Sequence, residues 1–459
     1  MIFASMTFLF VFFPIVLIGY FILPTKLKNV FLFIASLYFY AWGEPTYIYL
    51  MIFSICFNYI IGLCVENRKD ILFFGVFINL WILFIFKYES FIIENINEIF
   101  NINLPSLNLL LPIGISFFTF QAITYLVDIY RKEAKAQINP INLGLYISLF
   151  PQLIAGPIVR YTDISKQIDN REITLDSLDY GCRRFIVGLG KKVILANNLA
   201  IISQVAIQSQ ELSVSLAWLG MIAYVLQLYY DFSGYSDMAI GLGKMFGFSF
   251  AENFNYPYIS KTVSEFWRRW HISLATFFRD YVYFPMGGSK VSTPRLYLNL
   301  FVVWSLTGLW HGGAWQFFAW GMLNFILLLI ERKIRPYLTN KYFAVFYQIY
   351  TMFFIFLGMM IFAETSLSDG IDYILTLLGR GELVSLNFYR YLNNYYLLIF
   401  FSIIFATPII PKLKTILSKY EWLKNFIFFV SPIVYILIFM VSVSYLTIGA
   451  HNPFIYFNF

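Results

Sequence analysis

Glu265-Phe-Trp-Arg-Arg-Trp-His271 and Thr307-Gly-Leu-Trp-His-Gly312 place charge, aromatic rings and histidine in a chain that is otherwise almost unbroken hydrocarbon. Both motifs lie between Tyr256 and His311, a stretch that holds two of the protein's three histidines. Ionisable groups near membrane depth are costly unless they face a cavity, a partner or a substrate, so this stretch is a candidate functional site. On the charges alone, a basic collar that holds lipid headgroups is the alternative interpretation.

The composition around this stretch is that of a membrane protein. Of 459 residues, 60% are hydrophobic and 12% are charged, and the mean hydropathy is +0.71. Soluble domains are usually about 25% charged. The formal net charge of +7 lies in short connecting segments, which indicates membrane orientation and not a nucleic-acid surface. We therefore expect an all-α polytopic membrane protein with no nucleic-acid partner.

Apolar runs of about 20 residues predict roughly eleven transmembrane helices. The first run starts at Met1 without a basic region or a cleavage site, so it is expected to be retained. Lys26 and Lys28 place the following loop in the cytoplasm and the N-terminus outside. The tail from His451 is expected outside or in the outer interface. The predicted spans are 2–23, 30–42, 46–64, 71–86, 108–130, 193–207, 214–231, 296–310, 314–330, 343–363, 393–410 and 425–448, with 371–379 left open.

Two segments do not fit simple crossings. Residues 143–157 end in Phe-Pro-Gln-Leu-Ile-Ala-Gly-Pro and are too broken to cross, which indicates a re-entrant element beside an internal chamber. Residues 160–192 alternate charged and apolar positions, as cytoplasmic helices lying in the interface do.

His311 is the strongest catalytic candidate. Histidine exchanges protons near neutrality, and a dry chamber would keep it neutral and able to assist attack by a hydroxyl. Trp310 on one side would exclude water, and Gly312 on the other permits close approach. A histidine that only packs between helices is the alternative interpretation of the pattern.

His271 is the second candidate, and it follows a pair of arginines. Arg268 and Arg269 offer donor forks suited to phosphate or carboxylate, although a pair that merely reaches the cytoplasmic interface is equally consistent. Tyr230-Asp-Phe-Ser-Gly-Tyr-Ser-Asp237 adds hydroxyls and carboxylates at the predicted end of a span. The candidate substrate-binding residues are Trp267, Arg268, Arg269, Trp270, Trp310, Ser236, Asp237 and Asn255.

Several other kinds of site are not indicated. The three cysteines have no CxxC spacing, and we expect them to be buried as small apolar residues. The three scattered histidines give no zinc pattern, and GxSxG and HExxH are absent. No metal site and no cofactor are expected.

These motifs, with Phe278-Arg-Asp-Tyr-Val-Tyr-Phe-Pro-Met-Gly-Gly288, resemble those of the membrane-bound O-acyltransferases. The nearest branch in appearance is the bacterial polysaccharide O-acetyltransferases of alginate and peptidoglycan acetylation. The resemblance implies a ring of helices around a central tunnel, with His311 as catalytic base and His271 as a second, supporting histidine. It covers the whole chain, as one transmembrane domain 1–459 with N-terminal helices 1–140, a catalytic core 141–335 and C-terminal helices 336–459.

The implied activity is transfer of an acetyl group from cytoplasmic acetyl-CoA, a substrate and not a cofactor, toward an external or cell-wall polysaccharide. Similar systems use a separate SGNH-type protein outside the cell, so we expect such a partner near the C-terminal tail, besides membrane lipids. D-alanyl transfer to teichoic acid from a carrier-protein thioester, lipid acylation, and a non-enzymatic glycan or lipid translocator remain alternatives.

Overall fold

A computed structural model describes residues 1–154 and 156–449. In these ranges the chain is helical and contains no β-strand, which confirms the predicted all-α class. It forms two compact units. The first comprises residues 1–188 and 235–252, and the second comprises residues 189–234 and the chain from Asn253 onward. The predicted division at 140/141 and 335/336 follows chain position and stays a prediction.

The helices of the first unit are Phe8–Phe12, which is π-helical, Phe13–Ile22, Thr25–Gly43, Ile48–Cys64, Lys69–Lys87, Glu89–Phe100, Ile115–Tyr130, Pro140–Ser148, Phe150–Leu153, Tyr161–Asp169 and Leu175–Gly190. Those of the second are Lys191–Ala196 (π), Asn197–Ile207, Pro257–Ile259 (3-10), Val263–Arg269, Ile272–Phe278, Arg279–Tyr283 (π), Thr293–His311, Trp315–Ile334, Arg335–Thr339 (3-10), Lys341–Ala363, Leu367–Leu377, Leu386–Phe405, Ile409–Leu417 and Glu421–Thr447. Val214–Met245 contributes residues to both units.

The segment predicted to be too broken to cross is indeed broken. Leu149 separates the helices Pro140–Ser148 and Phe150–Leu153, and both are buried in the first unit. The Phe150 N–H donates to Ser36 Oγ at 3.2 Å, so a side chain satisfies the backbone at the break. Protein covers this irregular backbone. Polar N–H and C=O groups outside a regular helix are tolerated at membrane depth only where protein or a cavity surrounds them. The re-entrant position relative to a bilayer stays a prediction.

Two predicted helix boundaries are wrong. We expected interfacial helices to stop at 192 and a new span to begin at 193, but Leu175–Ile207 is one helix of 33 residues with a π-helical turn inside it. Likewise, the span expected to end at 231 continues to Met245. The physical reason is ion pairing. Lys192 Nζ lies 2.6 Å from Asp231 Oδ1, so each helix carries a buried charge without ending.

Four described helices are long and apolar enough to cross a membrane, and a fifth is added if one bent pair counts as a single span. They are Lys69–Lys87, Leu175–Ile207, Tyr342–Ala363 and Glu421–Thr447, and the pair is Leu386–Phe405 with Ile409–Leu417, bent by 68°. Phe8–Ile22, Ile48–Cys64 and Ile115–Tyr130 are shorter apolar helices. The sequence count of roughly eleven also includes such shorter and more polar helices.

The expected burial of the cysteines is wrong. Cys56, Cys64 and Cys182 are exposed on the protein surface. Cys56 and Cys64 lie on the apolar helix Ile48–Cys64, where a thiol is small and apolar enough to face lipid. Cys182 lies beside Arg183 on the more polar helix Leu175–Gly190. The C-terminal tail from His451 lies outside the described residues.

Candidate active site

A tightly packed helical hairpin carries His311. Thr293–His311 and Trp315–Ile334 approach closely where Gly308 faces Gly321. A Cβ added to Gly308 would lie 2.4 Å from the Phe317 carbonyl oxygen, and one added to Gly321 would lie 2.4 Å from that of Trp304. Small residues permit this approach of two backbones. The glycine of the Thr-Gly-Leu-Trp-His motif therefore fixes where its histidine lies.

Aromatic rings surround His311, which is only 4% exposed. The imidazole centroid lies 4.8 Å from the ring of Trp310, 5.1 Å from Trp320 and 4.9 Å from Phe362, each meeting it edge to face. Such contacts orient a ring and exclude water from it. Trp310 was predicted to line the site, whereas Trp320 and Phe362 were not.

His271 lies in the turn between Val263–Arg269 and Ile272–Phe278. Its φ of +44° falls in the left-handed region, which is unusual for a side chain other than glycine and is often found at functional sites. Its ring lies 4.6 Å from that of Phe232 and 5.7 Å from that of Trp310. Burial lowers the pKa of His271 from 6.5 to about 3, so the ring is neutral at physiological pH.

The short helix before His271 has a well-defined start. Thr262 Oγ caps this helix by accepting from the Glu265 N–H at 3.2 Å, and a Glu265 carboxylate oxygen accepts from the Lys261 N–H, just before the cap, at 2.9 Å. This anchors Trp267, whose Nε1–H donates to Asn324 Oδ1 at 3.1 Å. Asn324 also donates to the Trp320 carbonyl at 2.9 Å, so it positions two of the tryptophans.

Both histidines line one pocket of about 180 Å³ in the second unit. A cavity of this size holds several water-sized groups, which is room for the thioester end of a donor. Its walls are mainly aromatic, with Trp267, Trp270, Trp304 and Trp320 among them. Arg279 is the one permanent cation among the lining residues, and its side chain is 54% exposed while it pairs with Asp280. The lining of the pocket therefore includes two buried histidines and one exposed cation.

Four predicted binding residues of the second unit do not line this pocket: Arg268, Arg269, Asn255 and Trp310, which instead packs against the rings of both histidines. Arg268 is exposed, and Arg269 pairs with Glu265 at 2.9 Å. Asn255 is also exposed, and its carbonyl accepts from the Arg269 guanidinium at 3.1 Å. The arginines therefore lie at the protein surface, where they are accessible to an anionic group.

Ser236 and Asp237 belong to the first unit and are buried there. The Arg184 guanidinium lies 2.6 Å from an Asp237 carboxylate oxygen and donates to Glu252 at 2.7 Å. Asp237 is thus part of an internal ion-pair cluster. The structure brings together His271, His311, Trp267, Trp270 and Trp310 within the second unit.

Sequence reasoning missed several residues that shape the site. Arg279 stands in a quoted motif, and its position beside the conspicuous aromatic run was a usable signal. Trp320 and Phe362 lie in ordinary apolar spans, so no local pattern separated them from core residues. Among residues 1–154 and 156–449, no group of three or more His, Cys, Asp or Glu side chains is placed to hold a metal ion.

Comparison with known proteins gives the family. The model of the membrane-bound O-acyltransferase family matches residues 106–368, more than half of the chain. A probable alginate O-acetylase of Azotobacter vinelandii is 36% identical over 500 aligned residues, covering 100% of both chains. One from Pseudomonas aeruginosa is 42% identical, covering 80% of this chain and 73% of the relative. A peptidoglycan O-acetyltransferase of Helicobacter pylori is 37% identical, covering 72% and 70%.

Family, helical membrane architecture and enzyme class all agree with what the motifs predicted. The chain is a multi-pass membrane O-acyltransferase and belongs to the membrane-bound O-acyltransferase family.

Proposed function

We propose that the protein transfers an acetyl group from acetyl-CoA in the cytoplasm toward a polysaccharide outside the cell, with His311 as the general base. The names of its relatives support acetyl transfer and a glycan destination. The observation that carries the proposal is the buried His311 in the lining of an aromatic pocket that an exposed arginine, Arg279, also lines.

In the proposed step, a nitrogen of His311 takes the proton of an acceptor hydroxyl while the oxygen of that hydroxyl attacks the thioester carbonyl carbon. The new C–O bond forms, the C–S bond breaks, and the departing thiolate takes the proton back from the imidazolium. Base assistance of this kind contributes about 10²–10⁴-fold. The aromatic walls exclude water, which would otherwise hydrolyse the thioester.

The donor enters the pocket beside Arg279, an exposed residue of the lining. Its thioester reaches the histidines, while its phosphates remain outside near Arg279 and the exposed Arg268 and Arg269. Arginine forks match phosphate oxygens in geometry and charge.

The acetyl group then passes to an SGNH-type protein outside the cell, which delivers it to the glycan. The tail suggested as its contact lies outside the described residues. The proposed orientation, with the N-terminus outside and the loop at Lys26 and Lys28 inside, gives the two substrates access from opposite faces.

The test uses purified protein in sealed vesicles supplied with acetyl-CoA labelled in the acetyl group. Wild type should release CoA and label an added acceptor, and His311→Ala at equal abundance should not. Equal labelling by the two proteins would overturn the base assignment. Movement of glycan or lipid without loss of the acetyl group would instead indicate a translocator.

A further inference from the structure

Asn253, which no sequence motif singled out, contacts the ring of His271. Asn253 Oδ1 lies 3.3 Å from His271 Nδ1. The same oxygen accepts from the Ser273 N–H at 3.1 Å and from Ser273 Oγ at 2.9 Å. Because a backbone N–H can only donate, the atom facing these groups is the amide oxygen and not the nitrogen.

This arrangement determines which nitrogen of His271 carries the proton. An amide oxygen cannot donate, so the hydrogen between Asn253 and His271 belongs to Nδ1. A neutral imidazole has one N–H, and its other nitrogen is an acceptor. The left-handed backbone at His271 is held by the same segment, since the Ile272 N–H donates to the Asn253 carbonyl at 3.0 Å.

We propose that Asn253 is a positioning residue that keeps the proton of His271 on Nδ1, so that Nε2 accepts a hydrogen bond from an amide N–H of the acyl donor. The tautomer stands on geometry alone, whereas the donor contact rests on the proposed function. An acceptor nitrogen cannot stabilise the thioester oxygen, but it can orient the amide next to the thioester in a pantetheine arm. The two histidines then have separate roles, His271 for the donor and His311 for the acceptor hydroxyl.

Several charged groups on the surrounding elements are paired within the protein, whereas Arg268, on the helix before His271, is exposed. Glu265 and Arg269 pair on the helix before His271, and Arg279 and Asp280 pair beyond the helix after it. On the helix that carries Phe232, Asp231 pairs with Lys192. The helix Thr293–His311 contributes Trp310 to the ring of His271 and has His311 next in sequence. A new carboxylate at position 253 would therefore act on His271 directly.

The first test reads the tautomer without any assay of activity. The chain has three histidines, so replacing His311 and His451 with Gln leaves only His271. In ¹⁵N-histidine NMR of this protein in lipid, we expect a protonated Nδ1 and a bare Nε2. Adding Asn253→Ala should give a mixture of tautomers. A proton on Nε2, or an unchanged spectrum in Asn253→Ala, would overturn the inference.

The second test uses Asn253→Asp, which keeps the oxygen for Ser273. The carboxylate should raise the pKa of His271 by roughly 1–3, so the ring protonates in mild acid and Nε2 stops accepting. From about 3, the full rise brings this pKa to about 6, so the rate of the variant divided by that of wild type should fall up to about fourfold between roughly pH 7.5 and 5.5, and further toward pH 4.5. Asn198→Asp, whose amide only bonds the Ile194 carbonyl within its helix, is the matched control with a flat ratio.

A flat ratio for Asn253→Asp would contradict the inference. The two hypotheses fail separately. If the wild type transfers no acetyl group but shows the expected NMR spectrum, the proposed function is wrong and the tautomer of His271 is supported. If the wild type is active and carries the proton on Nε2, the proposed function is supported and the tautomer is wrong.

Discussion

The histidine pocket and the buried ion pairs surround their titratable groups differently: aromatic rings enclose the histidines, whereas an opposite charge meets each charge of the ion pairs. In the pocket, His271 and His311 lie among aromatic rings, and burial keeps His271 neutral. In the ion pairs, Lys192 meets Asp231 and Arg184 meets Asp237 at 2.6 Å, so each charge is satisfied by a protein partner. A titratable group available to a substrate is thus enclosed by rings, and one that holds helices together is matched by an opposite charge.

This contrast separates two kinds of mutational effect. Changes in the pocket should lower the rate of transfer in a folded protein. Changes in the ion pairs should lower stability and leave the rate per folded molecule close to that of wild type. The sequence alone placed both kinds of residue in one group of site candidates.

The largest expected effect is that of His311→Ala. Removing the proposed base should lower acetyl transfer by about 10²–10⁴-fold. Transfer of labelled acetyl from acetyl-CoA, measured at matched protein abundance with thermal unfolding as a check on folding, tests this. Full activity in a folded variant would contradict the claim that changes in the pocket lower the rate of transfer.

Lys192→Met should act on stability. It leaves Asp231, which is 1% exposed, as a buried charge without its partner cation, at a cost of about 3–5 kcal/mol. The free energy of unfolding in detergent measures this loss. Replacing Asp231 with Leu as well should recover most of it. A hundredfold loss of rate without any loss of stability would instead make this pair part of the catalytic machinery.

Asp237→Asn tests a residue for which the sequence predicted substrate binding and the structure shows an ion pair with Arg184. As a partner of Arg184, which it shares with Glu252, Asp237 should contribute about 1–3 kcal/mol to folding. The KM for acetyl-CoA should change by less than about threefold. A large rise in KM with unchanged stability would support the substrate-binding role predicted from the sequence.

The smallest effect concerns pH and His271. Its pKa is about 3 in the folded protein and 6.5 when unfolded, so the unfolded chain binds more protons between these values. Stability should therefore fall as the pH drops from 6.5 toward 3, and should be insensitive to this residue above 6.5. In His271→Gln this part of the slope should disappear from unfolding measurements. An unchanged slope would show that the ring is not held neutral by burial.

Much of the architecture was predictable because hydrocarbon content and charge spacing are local properties. The all-α membrane class and the break before Phe150 follow from apolar runs and proline. Helix ends were less predictable. The continuation through Lys192 depends on a carboxylate 39 positions away in sequence, Asp231, and no local pattern shows that pairing.

The same limit applies to the site. Trp267, Trp270, Trp310 and both histidines were predictable because they stand in unusual motifs. Asn253 and Asn324 were not, since each acts through a hydrogen bond to a ring that another segment supplies. Asp237 was selected for its charge, and only the structure reveals that Arg184 already pairs with it.

The most direct test of the central claim is an experimental structure with a thioether analogue of acetyl-CoA that cannot transfer its acyl group. The account predicts the sulfur between the rings of His271 and His311, with the phosphates beyond Arg279. An analogue bound elsewhere, with the pocket between the two histidines closed to it, would contradict the account.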